Sequence, residues 1–190
     1  MNKTYRSELH RLFLIQGLPE PLKPADIHLQ IFDNYIENTR LRIRSVRSPD
    51  TKEWTFILQQ RCTDEKNKAR LNIAEIHLNE AEHNAFEIFE GREIRKNERV
   101  ETNEIRKNRY SFDFDNQIIE IDVFLGDLWG LNLAKIVFED EQVFENFEVP
   151  SFALLEVTTN PFFKGENLVG AKFADVQEEF ARSEAILVRR

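Results

Sequence analysis

Polar and apolar residues alternate most strictly at Thr39-Arg40-Leu41-Arg42-Ile43-Arg44, which sets three arginines on one face of a strand and two aliphatics on the other. An ordinary half-buried strand carries neutral polar residues on its wet side. Three guanidiniums in a row repel one another unless water, carboxylates or a bound anion compensates them, and planar multidentate donors suit phosphate. The stretch therefore has two readings: a solvated face laced with salt bridges, or one wall of an anion site.

The same period recurs along the chain. Glu8 to Ile15 reads as a strand with Leu9, Arg11, Phe13 and Ile15 on one face and Glu8, His10, Leu12 and Leu14 on the other. Pro19, Pro21 and Pro24 make a rigid connection to a strand near His28 to Tyr35. After the turn at Pro49-Asp50, Glu53 to Arg61 sets Trp54, Phe56 and Leu58 against Thr55, Ile57, Gln59 and Arg61. Arg70 to Leu78 is a further strand, and Asn79 caps a helix expected to run to about Glu90. Glu93-Ile94-Arg95-Lys96-Asn97 recurs as Glu104-Ile105-Arg106-Lys107-Asn108, a local duplication of which one copy is expected to be a hairpin or loop. Ile105 to Phe114 and Gln117 to Leu125 form a hairpin about Asp115-Asn116, with Tyr110, Phe112 and Phe114 on an apolar face and Lys107 and Arg109 opposite. Leu131 to Glu139 is a strand, Asp140 to Phe147 a short acidic helix, Leu154 to Thr158 a last strand, and about 167–187 an amphipathic C-terminal helix.

About eight strands with short connections predict a mainly antiparallel sheet. Its faces are inverted: charged residues line one side, and apolar residues the side that helices would cover. Closure into an eight-stranded β-barrel, a tunnel with a wet lumen and helices packed outside, resolves this and makes the fold class α+β.

Composition narrows what such a lumen could hold. At 190 residues the chain suits a single domain over 1–190, and 41% hydrophobic residues with 16 Phe support a real core. Lys and Arg number 26 against 34 Asp and Glu, a net charge of −8. That balance argues against broad nucleic-acid binding and against anionic membranes, so a phosphate site must be local and enclosed. The single Cys62 excludes an internal disulfide. No apolar run approaches 20 residues, and a soluble cytoplasmic protein is the expectation.

Eight short segments occur in an order that resembles the CYTH, or triphosphate tunnel metalloenzyme, family of bacterial proteins: Asp33-Asn34-Tyr35-Ile36, Thr39 to Arg44, Gln60-Arg61, Ile76-His77-Leu78, Lys107-Asn108-Arg109-Tyr110, Asp122-Val123-Phe124-Leu125-Gly126, Gly130-Leu131 and Glu156-Val157-Thr158. The resemblance covers nearly the whole chain. It implies an eight-stranded tunnel that binds a triphosphate, with hydrolysis of inorganic, thiamine or RNA 5′ triphosphate, or adenylate cyclase chemistry, in various members. It implies phosphate-binding roles for Arg40, Arg42, Arg44, Arg61, Lys107 and Arg109, with Lys135 as an added cation. It also implies metal roles for Glu8 and Glu156, with Glu120 and Asp122 as extras, and a proton-accepting role for Tyr35.

Departures from the family pattern shape the expected function. The opening E-x-E-x-K reads Glu8-Leu9-His10-Arg11-Leu12, and A-E-V-E-F reads Ala134-Lys135-Ile136-Val137-Phe138, so several metal-binding glutamates are replaced. Magnesium requires several hard oxygen ligands at short distance. Three expectations follow. The first is a tunnel that binds a triphosphate or similar phosphorylated small-molecule anion, with hydrolysis weak or lost and with Mg2+, Mn2+ or no metal as cofactor. The second is an active metal-dependent triphosphatase. The third is a non-catalytic protein-interaction module.

Overall fold

Strand β1 (Lys3–Ile15) is long enough to serve both edges of one sheet. Its residues Lys3 to Leu9 pair with β5 (Arg70–Leu78), while Leu9 to Leu14 pair on the opposite edge with β10 (Asn132–Phe138). Around the circuit between them stand β4 (Trp54–Thr63), β3 (Leu41–Arg47), β2 (Leu29–Tyr35), β8 (Glu104–Phe114) and β9 (Gln117–Phe124), each antiparallel to its neighbours. The result is a closed eight-stranded antiparallel barrel, the α+β tunnel that the alternation predicts. The computed structural model describes residues 3–96 and 99–187.

Outside the circuit lie a hairpin of β6 (Glu93–Lys96) and β7 (Arg99–Thr102), and a short strand β11 (Ala153–Glu156) beside the end of β1. The first copy of the duplicated segment forms the first strand of that hairpin, β6, except Asn97, which lies outside the described residues; the second opens β8. At the β8–β9 turn Asp115 and Asn116 both take positive φ, 51° and 58°, as a tight primed hairpin turn demands.

Alternation gives each barrel strand an inward and an outward face. Even residues of β1 point into the barrel. Odd residues Leu9, Phe13 and Ile15 join Ile119, Ile121 and Ile136 in an outer core. Phe138, Phe144, Phe147 and Phe152 cover it, with Phe144 carried by α2 (Glu141–Asn146), whose N-cap Asp140 accepts from the Gln142 and Val143 amides.

Helices depart from expectation in two places. The helix capped by Asn79 stops after one turn as α1 (Glu80–Asn84), followed by a 3-10 turn at Glu87–Phe89. His83 Nε2 contacts Glu90 Oε1 at 3.0 Å, whereas seven residues of straight helix would set them about 10 Å apart. The expected C-terminal helix splits into α3 (Gly165–Leu168) and α4 (Phe173–Leu187), because Gly170 adopts φ +69° and turns the chain.

Val176 of α4 is buried in a second apolar cluster, with Phe173 and Phe180 packed against it, at one end of the barrel. Leu133, Phe124, Ile105, Phe163 and Leu168 belong to the same cluster and also line the lumen. That end is therefore covered by these hydrophobic side chains, those of α4 included, while the segment Pro161 to Leu168 supplies the residues that line the lumen there.

Candidate functional site

Two neighbouring strands make the first wall. On β3, Arg42 and Arg44 turn inward, and the register places them opposite Tyr35 and Asp33 of β2. Asp33 is 1% exposed and accepts Arg44 Nε at 2.6 Å, Arg44 Nη2 at 2.8 Å and Arg42 Nη1 at 3.1 Å. Burial alone would push its pKa up, but the two guanidiniums hold it far below the ordinary carboxylate range.

From this wall a belt of polar contacts runs around the lumen and includes a side chain from each of the eight strands. Arg42 Nε donates to Gln59 of β4 at 2.8 Å, and Gln59 Nε2 donates to Glu75 of β5. Glu75 meets Arg6, Arg6 Nε reaches Glu8 at 2.8 Å, and Glu8 Oε2 accepts Lys135 Nζ of β10 at 2.6 Å. In the other direction Lys107 Nζ of β8 lies 3.8 Å from Asp33 and 2.7 Å from Asp122 of β9. Arg109 grips Asp122 by Nε at 2.6 Å and Nη2 at 2.8 Å, and Glu120 by Nη1 at 2.8 Å. Buried charges are tolerated here because each carboxylate meets a hydrogen-bonding cation.

The belt does not neutralise the lumen. The cavity, about 190 Å³, is lined by nine Lys and Arg side chains against five Asp and Glu, with Glu75 pairing Arg6 beside it, so cations outnumber carboxylates around the lumen of a chain of net charge −8. Arg61 of β4 faces this space with no hydrogen bond or ion pair among the described residues. Burial and the neighbouring Arg42 and Arg44 lower its pKa to about 10. Burial also lowers Lys107 to about 8, and burial together with Arg61 lowers Lys135 to about 8. His10 is 7% exposed, its Nδ1 without a hydrogen-bond partner; burial, Lys135 and Arg61 lower its pKa to about 4, so the ring is neutral at pH 7.

Most of the residues singled out from sequence converge on this cavity: Glu8, Tyr35, Arg42, Arg44, Arg61, Lys107, Arg109, Glu120, Asp122 and Lys135 all line it. Two do not. Arg40 is exposed in the turn before β3, where Thr39 Oγ1 closes the loop onto the Ile36 carbonyl at 2.7 Å and the strand begins only at Leu41. Glu156 pairs in register with Phe13 and so shares its outward face. There Arg11 binds it through Nε at 3.1 Å and through Nη2.

Tyr35 sits at the sealed end. Its hydroxyl accepts from Arg42 Nη1 at 3.1 Å and packs against Gly165 so closely that a Cβ there would stand 1.8 Å away. Burial raises the phenol pKa. Lys164 of the same segment bridges to Thr63 Oγ1 on β4 at 2.8 Å.

Sequence reasoning missed the counter-charges: Asp33 entered only as part of a motif, and Glu75, Gln59 and Arg6 were given no role. The usable signal was an acidic residue at an inward parity, Asp33 two positions before Tyr35 and Glu75 between Ala74 and Ile76, since a carboxylate inside an otherwise apolar strand needs a buried partner.

A divalent ion would need converging, uncommitted oxygens. Glu8, Glu120 and Asp122 face the lumen, but each is held by a Lys or Arg, and no group of three or more His, Cys, Asp or Glu among the described residues is placed to hold a metal. With Glu156 turned outward, these donors do not fit a hard cation.

No protein-family model matches the chain. A stretch of 74 residues is 36% identical to an inorganic triphosphatase of Acetivibrio thermocellus, covering 39% of this chain and 46% of that protein. The match thus spans less than half of the relative's length. Among solved structures, one described as an inorganic triphosphatase has TM-score 0.54 at 22% identity, over 86% of this chain and 95% of the other. A second structure of that protein, described as hypothetical, has TM-score 0.55 at 22% identity, over 87% and 99%. At such identity the likeness is one of fold. No helix among the described residues is long and apolar enough to cross a membrane. The closed eight-stranded barrel of this chain is thus the fold it shares with these two structures.

Proposed function

We propose that the lumen binds inorganic triphosphate or a similar phosphorylated anion, and hydrolyses it weakly or not at all. The observation that carries this reading is the excess of cations over carboxylates around the lumen of an acidic protein, with Arg61 in it unpaired among the described residues. A desolvated guanidinium without a counter-charge is costly, and an anion with several oxygens is what would relieve it. In this reading Arg61 and Lys135 contact the phosphates first, while Arg42, Arg44, Lys107 and Arg109, already fixed by Asp33, Asp122 and Gln59, present their remaining N–H groups without rearrangement.

Weak turnover follows from the state of the carboxylates. Phosphoryl transfer needs charge neutralisation together with a positioned nucleophile. The lumen offers the first in fixed cations. For the second, burial raises the Tyr35 pKa, so its hydroxyl stays protonated at pH 7 and cannot accept a proton from the nucleophile, and Asp33 and Asp122 are locked in ion pairs.

A second reading, an active metal-dependent triphosphatase, is favoured by the 36% identity over 74 residues to an inorganic triphosphatase. Calorimetry with inorganic triphosphate, with and without excess manganese, followed by phosphate-release assays on the same samples, separates the two. Binding with little release is expected. Rapid manganese-dependent release would select the second reading, and no heat under any condition would end both.

A further inference from the structure

The lumen's carboxylates are not spread evenly. Glu8 of β1, Glu120 of β9 and Asp122 of β9 flank a single strand, β10, and Lys135 stands between them on its inner face. Lys135 pairs in register with Glu120, and its Nζ lies 2.6 Å from Glu8 Oε2. Arg109 holds Glu120 and Asp122 from the other side. The inner position of β10 between the strands that carry these three carboxylates is thus taken by an ammonium.

We propose that Lys135 is a built-in cation occupying the place a divalent ion would need between Glu8 and Glu120, so that the lumen takes up triphosphate in its uncomplexed form and not as a magnesium or manganese complex. The inference rests on the phosphorylated-anion reading of the lumen and specifies the ionic form of its ligand. An ammonium at hydrogen-bonding distance satisfies one oxygen of Glu8 and repels a second cation at the same place. A divalent complex of triphosphate also carries two fewer negative charges than the free anion, so a lumen in which cations outnumber carboxylates attracts the free anion more strongly.

The test has two arms. In the first, triphosphate is titrated into the wild-type protein in EDTA and again in excess Mg2+. Affinity in EDTA at least tenfold tighter is expected, and equal affinity in the two buffers, or tighter binding in Mg2+, would overturn the inference. In the second, free Mn2+ is followed by its paramagnetic resonance signal without any phosphate. The wild-type protein leaves that signal unchanged, whereas Lys135→Glu, which adds a carboxylate beside Glu8 and Glu120, depletes it.

Stoichiometric Mn2+ uptake by the wild-type chain, or none by a folded Lys135→Glu variant, would equally defeat the proposal. If circular dichroism shows that Lys135→Glu is unfolded, Lys135→Met takes its place in the first arm. Loss of tenfold or more in EDTA affinity is then expected, and unchanged affinity overturns the role of Lys135. Absence of triphosphate binding in both buffers would instead defeat the underlying reading, an outcome visible in the first arm whatever the Mn2+ signal does.

Discussion

Asp33 and Arg44 form a two-point pair across β2 and β3, Nε to Oδ1 at 2.6 Å and Nη2 to Oδ2 at 2.8 Å, with the carboxylate 1% exposed. Because Arg42 and Lys107 share the same carboxylate, one buried anion sets the geometry of three cations on two other strands.

Removing that anion should therefore be felt throughout the barrel. Asp33→Ala leaves Arg44 buried without its partner, and a loss of about 3–5 kcal/mol in unfolding free energy is expected. The urea midpoint should fall. Inorganic triphosphate should then raise that midpoint more for the variant than for the wild-type protein, because the added anion compensates the cations left without their carboxylate.

Arg61 should behave in the opposite way. It has no ion pair among the described residues, and its pKa is lowered to about 10 by burial and by Arg42 and Arg44. Arg61→Met is expected to leave stability unchanged or raise it by about 1 kcal/mol. Triphosphate affinity should drop roughly 10- to 100-fold, the loss of one or two charge-assisted hydrogen bonds. Thermal melting and calorimetry on one preparation would show both signs.

Binding should depend on pH below the range where ordinary lysines titrate. Burial lowers Lys107 and Lys135 to about 8, from the usual 10.5. As pH rises through about 8 the folded protein loses these charges, so triphosphate affinity should fall between pH 7.5 and 9, a window set by about one unit around that pKa. The bound anion favours the charged amines, so binding at pH 8 should take up protons; calorimetry in two buffers of different ionisation enthalpy measures that number. For the empty protein the sign is reversed. The unfolded chain binds more protons between about 8 and 10.5, so these two groups contribute a rise in stability with pH across that interval.

Gly165 and Tyr35 close the sealed end, and a Cβ at position 165 would stand 1.8 Å from the Tyr35 hydroxyl and 2.8 Å from its ring carbon. Gly165→Ala should cost about 1–3 kcal/mol by forcing the sealing segment away. Tyr35→Phe removes the nearer of the two contacts, so the double variant should recover part of that loss. Chemical denaturation of the four proteins in the cycle measures the coupling.

Much of this fold was legible in the sequence, because strand alternation is a local property. The parities of Arg42 and Arg44, Lys107 and Arg109, and Glu120 and Asp122 follow from a two-residue period that every strand must obey, and a sheet with charge inside and Phe outside has to close. Helix lengths were less legible: Gly170 and the His83 to Glu90 contact ended helices that periodicity alone would extend.

The tertiary structure decided which charges meet. Glu8 and Lys135 are 127 positions apart and touch only because β1 bridges the two edges of the sheet. Glu156 was expected in the lumen, yet pairing with Phe13 turned it outward to Arg11, and a one-residue difference of register is enough to move a side chain across a sheet. Arg40 kept the parity of Arg42 but lost the strand. The sequence determined the alternation and the supply of inward cations. Barrel closure and register determined their counter-ions, leaving Arg61 without one among the described residues, because both depend on distant strands that no local pattern specifies.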